Sequence, residues 1–127
     1  MISSRLNALI SCGGPAMPYK RIENTLGHKL YTAPSPIHGQ GCFARVRFEV
    51  GDYLGTFEGP DVDQDGPHVL WLYDAETRIL IGRRGDNLLR WLNHQDQPNA
   101  EFDGFDLYAR RAIGVDEEIT IDYGAVP

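Results

Sequence analysis

Three short runs in this chain carry side chains whose types and spacing suit chemistry. The first, Ser35-Pro36-Ile37-His38-Gly39-Gln40-Gly41-Cys42-Phe43-Ala44, sets two glycines one residue apart. Lacking Cβ atoms, Gly39 and Gly41 let the backbone approach a ligand closely and turn N–H groups toward it, with Gln40 between them. The second run, from Asn87 to Asn99, joins Asn93 to His94 ahead of a Pro98-Asn99 turn. An amide beside an imidazole offers donors and acceptors suited to a purine or a carboxylate. The third, Asp116-Glu117-Glu118-Ile119-Thr120-Ile121-Asp122-Tyr123-Gly124, is an alternating strand pattern that ends on a tyrosine. Taken singly, each run also has an ordinary structural account. A G-x-G is common in plain turns, Asn93 and Asn99 suit turns and caps, His94 suits a hydrogen-bonded interior position, and Tyr123 suits a packed aromatic.

The elements that must position these runs are short strands. Glycine (14) and proline (8) punctuate the chain so often that the apolar segments are cut to strand length. The segments Lys29 to Thr32, Gly41 to Arg45, Tyr53 to Glu58, Val69 to Asp74, Ile79 to Gly82, Ala100 to Asp103, Asp106 to Ala109 and Glu118 to Asp122 read as strands. Leu88, Leu89, Trp91 and Leu92 recur at helical spacing behind Asp86 and Asn87 as caps, which predicts one or two helical turns. Gly59 to Pro67 reads as an acidic surface loop. A repeat underlies the pattern: Phe43-Ala44-Arg45 matches Tyr108-Ala109-Arg110 at an offset of 65, and the match runs without a gap for seventeen positions. Phe48 falls on Ile113, Asp52 on Glu117, Leu54 on Ile119 and Gly59 on Gly124. Two strand–connection–strand units packed about a pseudo-twofold axis are the expectation, against the alternative that any two such units look alike.

A length of 127 residues is one domain's worth of chain. With 18 acidic against 12 basic side chains, the formal net charge of −6 argues against a phosphate-neutralising nucleic-acid surface and toward a cationic partner. No apolar run reaches the ~18 residues that a spanning helix needs, so no membrane association is expected. Cys12 and Cys42 lack C-x-x-C spacing and are too few for a disulfide framework, which suggests a reducing, cytoplasmic setting without structural zinc. Residues 1–17 read as a loosely ordered leader broken by Gly13-Gly14-Pro15, with Met17 as an alternative start, and residues 18–127 as the domain proper.

Together and in this order, the runs resemble the SET-domain family of protein lysine methyltransferases. The resemblance rests on Gly39-Gln40-Gly41-Cys42-Phe43-Ala44, on the strand end Phe57-Glu58-Gly59, on the run from Asn87 through Arg90-Trp91-Leu92-Asn93-His94 to Pro98-Asn99, and on Glu117-Glu118-Ile119-Thr120-Ile121-Asp122-Tyr123-Gly124. It spans about Tyr31 to Gly124. It implies a mainly β, β-clip-like fold of small curled sheets with a C-terminal pseudoknot, a rare exception to unthreaded topology. It also implies methyl transfer from S-adenosylmethionine to a lysine side-chain amine of a protein, without a metal. Gly39, Gln40 and Gly41 would line the cofactor's methionine end, Asn93 and His94 would hold its amino and adenine groups, and Tyr123 would stand at the methyl-transfer point. Phe57 sits where the family often has a tyrosine beside the lysine channel. Ile121 sits where a Phe or Tyr commonly limits the number of methyls, so its smaller side chain predicts that more than one is added. Arg90 and Trp91 would buttress the Asn-His turn.

The departures from the family pattern are specific. Gln95-Asp96 replaces the usual Ser-Cys after Asn-His, which removes a zinc-cluster cysteine, and Asp116 replaces a turn glycine. The cysteine-rich segment that often completes the lysine channel is not in this sequence, so a second copy of the chain, as a homodimer, or the leader is expected to close it. A SET-like module that binds cofactor or a basic peptide without turnover is the alternative reading.

Overall fold

The computed structural model describes residues 6–10 and 23–123. Most of the leader, including Cys12 and Met17, and the terminal Gly124 of the third run lie outside the described residues.

The chain is built from small sheets, as its punctuation implies. Strands β1 (Leu6–Ile10), β6 (Val69–Asp74), β7 (Ile79–Arg84) and β5 (Asp61–Val62) form one sheet in the order β1-β6-β7-β5. Strands β4 (Tyr53–Thr56), β10 (Asp106–Ala109) and β9 (Ala100–Asp103) form a second, with β10 central. The third places β11 (Glu118–Ile121) between β3 (Gln40–Ala44) and the two-residue β8 (Asn93–His94), with β2 (Leu30–Pro34) outside β3. The helical spacing at Leu88 gives a single 3-10 turn, Leu88–Trp91, capped by the Asn87 carboxamide, whose Oδ1 accepts from the Leu89 N–H and whose Nδ2 donates to the Thr56 carbonyl.

The elements differ from the sequence reading in several places, and β4 stops at Thr56, short of the expected strand end at Phe57-Glu58. Glu23–Lys29 is a helix, α1, so Lys29 ends a helix rather than starting a strand. Asp61–Val62, inside the expected acidic loop, pairs with Arg83 and Gly82. Leu6–Ile10, inside the expected leader, runs parallel to β6 in register Leu6 to Leu70. For the two strands a long-range partner supplies hydrogen bonds that local composition does not announce, whereas the helix makes its own.

The repeat is a true structural twofold. Phe48 and Ile113, mates at offset 65, exchange reciprocal backbone hydrogen bonds of 2.9 Å across the axis. Gly51 N–H donates to the Ala109 carbonyl at 2.8 Å, and its mate Asp116 donates to Ala44 at 2.7 Å. Ala109 donates to Asp52 at 2.9 Å and Ala44 to Glu117 at 3.0 Å. The two turn residues share a left-handed backbone, φ 87° at Gly51 and 65° at Asp116. Aspartate tolerates that region better than most residues, and Asp116 also accepts a 2.8 Å hydrogen bond from the Tyr31 hydroxyl. One core spans both halves, with Leu30, Leu54, Phe57, Leu89, Leu92, Leu107, Ile113 and Ile119 buried in a single cluster.

Candidate active site

Strand β11 brings the three sequence runs to one place. On one side it pairs antiparallel with β3, Glu118 opposite Phe43 and Ile119 opposite Cys42. On the other it pairs parallel with β8, Thr120 opposite Asn93 and Ile121 opposite His94. Two residues of pairing is little for a strand, and side chains reinforce it. The Asn99 carboxamide lies along β11 like an extra peptide group, accepting from Thr120 N–H at 2.9 Å and donating to the Glu118 carbonyl at 2.8 Å. Gln95 N–H donates to the Ile121 carbonyl at 3.0 Å.

Asn93 joins the glycine run to this strand. It is buried, and its Nδ2 lies 3.0 Å from the His38 carbonyl, 3.1 Å from the Gln40 carbonyl and 2.9 Å from Glu118 Oε2. Glu118 also accepts from the Ser35 hydroxyl at 2.8 Å. The packing at Gly41 is tight, because a Cβ there would stand 2.4 Å from Glu118 Oε2 and 3.0 Å from Ser35 Cβ and would push the Glu118 carboxylate aside. Gly39 has a left-handed φ of 47° and open space where a Cβ would go. The Gly39–Gly41 backbone is therefore held from below by Asn93 and Glu118, while Gly39 and Gln40 are exposed above.

Tyr123 follows directly. Its backbone N–H donates to His94 Nδ1 at 3.0 Å, its ring centroid lies 5.3 Å from that of His94, and its hydroxyl donates to the Leu92 carbonyl at 2.5 Å. Burial, and then the nearby Glu118 carboxylate, push the phenol well above its ordinary pKa, so it stays protonated. His94 Nε2 lies 3.0 Å from Asp96 Oδ1, and its Nδ1 lies 3.6 Å from Asp122 Oδ1. Cys42, on β3 beside β11, is fully buried, and burial pushes its thiol up to about 12, which leaves it an inert core residue.

The expected residues thus divide. Gly39, Gln40, Gly41, Asn93, His94, Ile121 and Tyr123 meet around β11. The Asn93 amide nitrogen, expected to hold a cofactor's amino group, is spent on the glycine loop and Glu118, and both ring nitrogens of His94 have protein partners. Phe57 is fully buried, its ring edge-to-face with Phe102 at 6.0 Å and against Gly85. Ile121 is buried too, at 2% exposure. Arg90 donates to the Asp86 and Asn87 carbonyls and stacks 5.0 Å from the Trp91 ring, which itself meets His68, so the pair braces the 3-10 turn ahead of Asn93. Sequence reasoning missed Glu118 and Asn99. The signal for Glu118 was an acid inside a strand of otherwise buried residues; for Asn99, a turn residue with two chemically different amide ends, there was none that distinguishes it from a cap.

The gathered groups are acceptors and carboxylates, namely the His38, Gln40 and Leu92 carbonyls with Glu118 and Asp122. The carbonyls already accept from Asn93 and Tyr123, so the two carboxylates are what the site offers a ligand that carries positive charge.

Comparison with known proteins agrees with this geometry. The family model described as "SET domain" matches residues 39–124. Among curated proteins, the chain is 27% identical over 127 aligned residues to the histone-lysine N-methyltransferase TRX1 of Oryza sativa subsp. japonica, covering 83% of this chain and 12% of that protein. It is 31% identical to an Aspergillus fumigatus protein named histone-lysine N-methyltransferase, H3 lysine-4 specific, over 72% of this chain and 9% of that one. The chain therefore spans about a tenth of the length of the curated relatives it matches. A crystal structure of a Plasmodium falciparum protein proposed to be a histone methyltransferase superposes with a TM-score of 0.57 at 20% identity, covering 76% of this chain and 94% of that one, which shows the shared fold. With the family model covering the glycine loop, the Asn-His turn and the tyrosine strand, the chain belongs to the SET-domain family.

Proposed function

We propose that this chain transfers methyl groups from S-adenosylmethionine to the side-chain amine of a lysine in a protein. The observation that carries the reading is the meeting of Tyr123 with His94 and Leu92 at the end of β11, beside the Gly39–Gly41 loop that Asn93 anchors. When bound, S-adenosylmethionine supplies a methyl group activated by a positively charged sulfonium. The residues present fit such a group, because Gly39 leaves open space where a side chain would stand and the Glu118 carboxylate lies beside the loop. Gly39, Gln40 and Gly41 would hold it through backbone, with Asn93 and Glu118 fixing that backbone.

The chain's own residues set the rest. A lysine amine with an ordinary pKa of ~10.4 must lose a proton before it is a nucleophile; burial beside Ile121 and Tyr123 would disfavour the charged form, against the opposing pull of the Glu118 carboxylate. Tyr123 is too weak an acid, and too firmly protonated, to serve as a base. Its O–H is committed to the Leu92 carbonyl, which leaves the phenolic oxygen's lone pairs to accept from an incoming amine and orient it. Alignment, rather than acid–base chemistry, then carries the acceleration. The net charge of −6 and the histone-lysine names of the relatives favour a basic, histone-like segment as substrate.

The test is label transfer from labelled S-adenosylmethionine to a lysine-peptide array, comparing wild type with Tyr123→Phe. Loss of at least about 100-fold in kcat, with a stability change of no more than about 1.5 kcal/mol for the single hydrogen bond removed, is expected. Transfer unaffected by the substitution removes Tyr123 from the mechanism. Absence of both transfer and thermal stabilisation by S-adenosylmethionine, about 2.7 kcal/mol at 100 times the dissociation constant, refutes the reading altogether.

A further inference from the structure

The hydrogen bonds of His94 fix its tautomer. A neutral imidazole has one N–H donor and one lone-pair acceptor. Nδ1 lies 3.0 Å from the backbone nitrogen of Tyr123, a group that can only donate, so Nδ1 carries the lone pair and the proton sits on Nε2, which faces Asp96 Oδ1 at 3.0 Å. A second proton can enter only at Nδ1. There it would confront the Tyr123 N–H donor to donor, while a carboxylate able to accept more than one hydrogen bond, Asp122, has its Oδ1 3.6 Å from the same nitrogen. Among the described residues, the titratable groups facing the ring are Asp96 from its own turn and Asp122 and Tyr123 from the end of β11; Glu118, further back on β11, acts on the Tyr123 phenol.

From this geometry we infer that His94 is a proton-operated latch on Tyr123. In the neutral ring, Nδ1 clasps the tyrosine's backbone and holds the phenol against Leu92. Protonation swaps the ring's partner from the Tyr123 amide to the Asp122 carboxylate one residue earlier, and the tyrosine backbone is released. No covalent bond changes; one proton from solvent is bound at Nδ1. His94 is thereby a positioning residue, acting through Tyr123, and the catalytic consequence rests on the methyl-transfer reading above.

The experiment reads the latch without cofactor or substrate. In 15N-labelled protein, the His94 ring nitrogens and the Tyr123 amide are followed by NMR as pH is lowered. The expected result is an unprotonated Nδ1 at high pH, and a Tyr123 amide shift that titrates with the same midpoint as the His94 ring. In His94→Asn, whose side-chain oxygen can accept at the Nδ1 position but cannot titrate, the Tyr123 amide should be flat over that range. A protonated Nδ1 in the neutral ring, a Tyr123 amide that ignores the His94 titration, or a pH-dependent shift that persists in His94→Asn overturns the inference. In the enzyme assay, the wild-type kcat should fall about threefold to tenfold further than that of His94→Asn across the same titration, the worth of one lost hydrogen bond. A latch seen by NMR in a protein that transfers no methyl group sustains this inference and refutes the proposed activity; a flat Tyr123 amide in an active enzyme does the reverse.

Discussion

Removing the carboxamide of Asn93 tests whether the glycine loop is held from within the fold. Its Nδ2 carries two hydrogens but faces three acceptors at 2.9 to 3.1 Å, so one hydrogen is shared and the count is two bonds, not three. The bond to the Glu118 carboxylate is charge-assisted and worth about 1.5–3 kcal/mol, and a neutral amide–carbonyl bond about 0.5–1.5 kcal/mol. His38 and Gln40 are exposed, so water can partly re-satisfy their carbonyls. Asn93→Ala should therefore destabilise the protein by about 2–4 kcal/mol. By urea unfolding this is a midpoint shift of about 1–2 M at unchanged slope. Asn93→Asp sharpens the test, because it sets a second carboxylate against Glu118 in a buried site. At pH 7 it should be the less stable of the two variants. A carboxyl pair in contact holds one shared proton with a raised pKa, so its stabilising effect is present at low pH and lost as pH rises through that value. The gap between the variants should accordingly narrow on acidification. An Asn93→Ala protein within about 0.5 kcal/mol of wild type, the range of an indifferent surface change, would refute the reasoning; so would an Asn93→Asp protein more stable than it at pH 7.

Two further outcomes follow from the same sheet. Burial pushes the Glu117 carboxyl up, but hydrogen bonds from Gly114 N–H, the Asn99 amide and Arg111, each 3.0 Å, outweigh it and hold the carboxyl below its ordinary value. Its contribution is thus present above the unfolded-state pKa and lost as pH falls through the folded one, so the stability deficit of Glu117→Gln should be full at neutral pH and close in the acid range, checked by unfolding at a series of pH values. For Ile121, mass spectrometry of the product lysine should show more than one methyl added by wild type and a shift to monomethyl-lysine in Ile121→Phe; monomethyl-lysine alone from wild type would refute the steric reading.

Much of the scaffold was legible because alternation of apolar residues survives wherever a strand has one face on the core. Val69–Asp74, Ala100–Asp103 and Asp106–Ala109 form as their patterns predict, to the residue. The repeat was legible for a related reason: a twofold makes the same demands of both halves, down to the left-handed turn met by Gly51 and Asp116. What could not be read was decided at long range. Helix α1 has little apolar periodicity and contains Gly27, and β8 is a strand only because β11 arrives beside it. The site was legible as a set of motifs, yet the division of labour within it was not. Asn93 and Glu118 face each other across 25 residues of sequence, and nothing local reveals that the amide is used up on its own loop. Phe57 was placed by motif position, whereas its full burial depends on Phe102 and Gly85.

The reciprocal bridge between Phe48 and Ile113 gives the molecule a built-in reference. Residues of the half that ends in Tyr123 have counterparts, 65 positions earlier, in much the same backbone surroundings but away from His94 and Leu92, the partners of Tyr123. Glu117 corresponds to Asp52, each accepting from the backbone N–H three residues before it. A matched substitution in both halves perturbs the scaffold twice in kindred ways and the reaction once. Subtracting one effect from the other isolates what the site demands of a residue beyond what the architecture does.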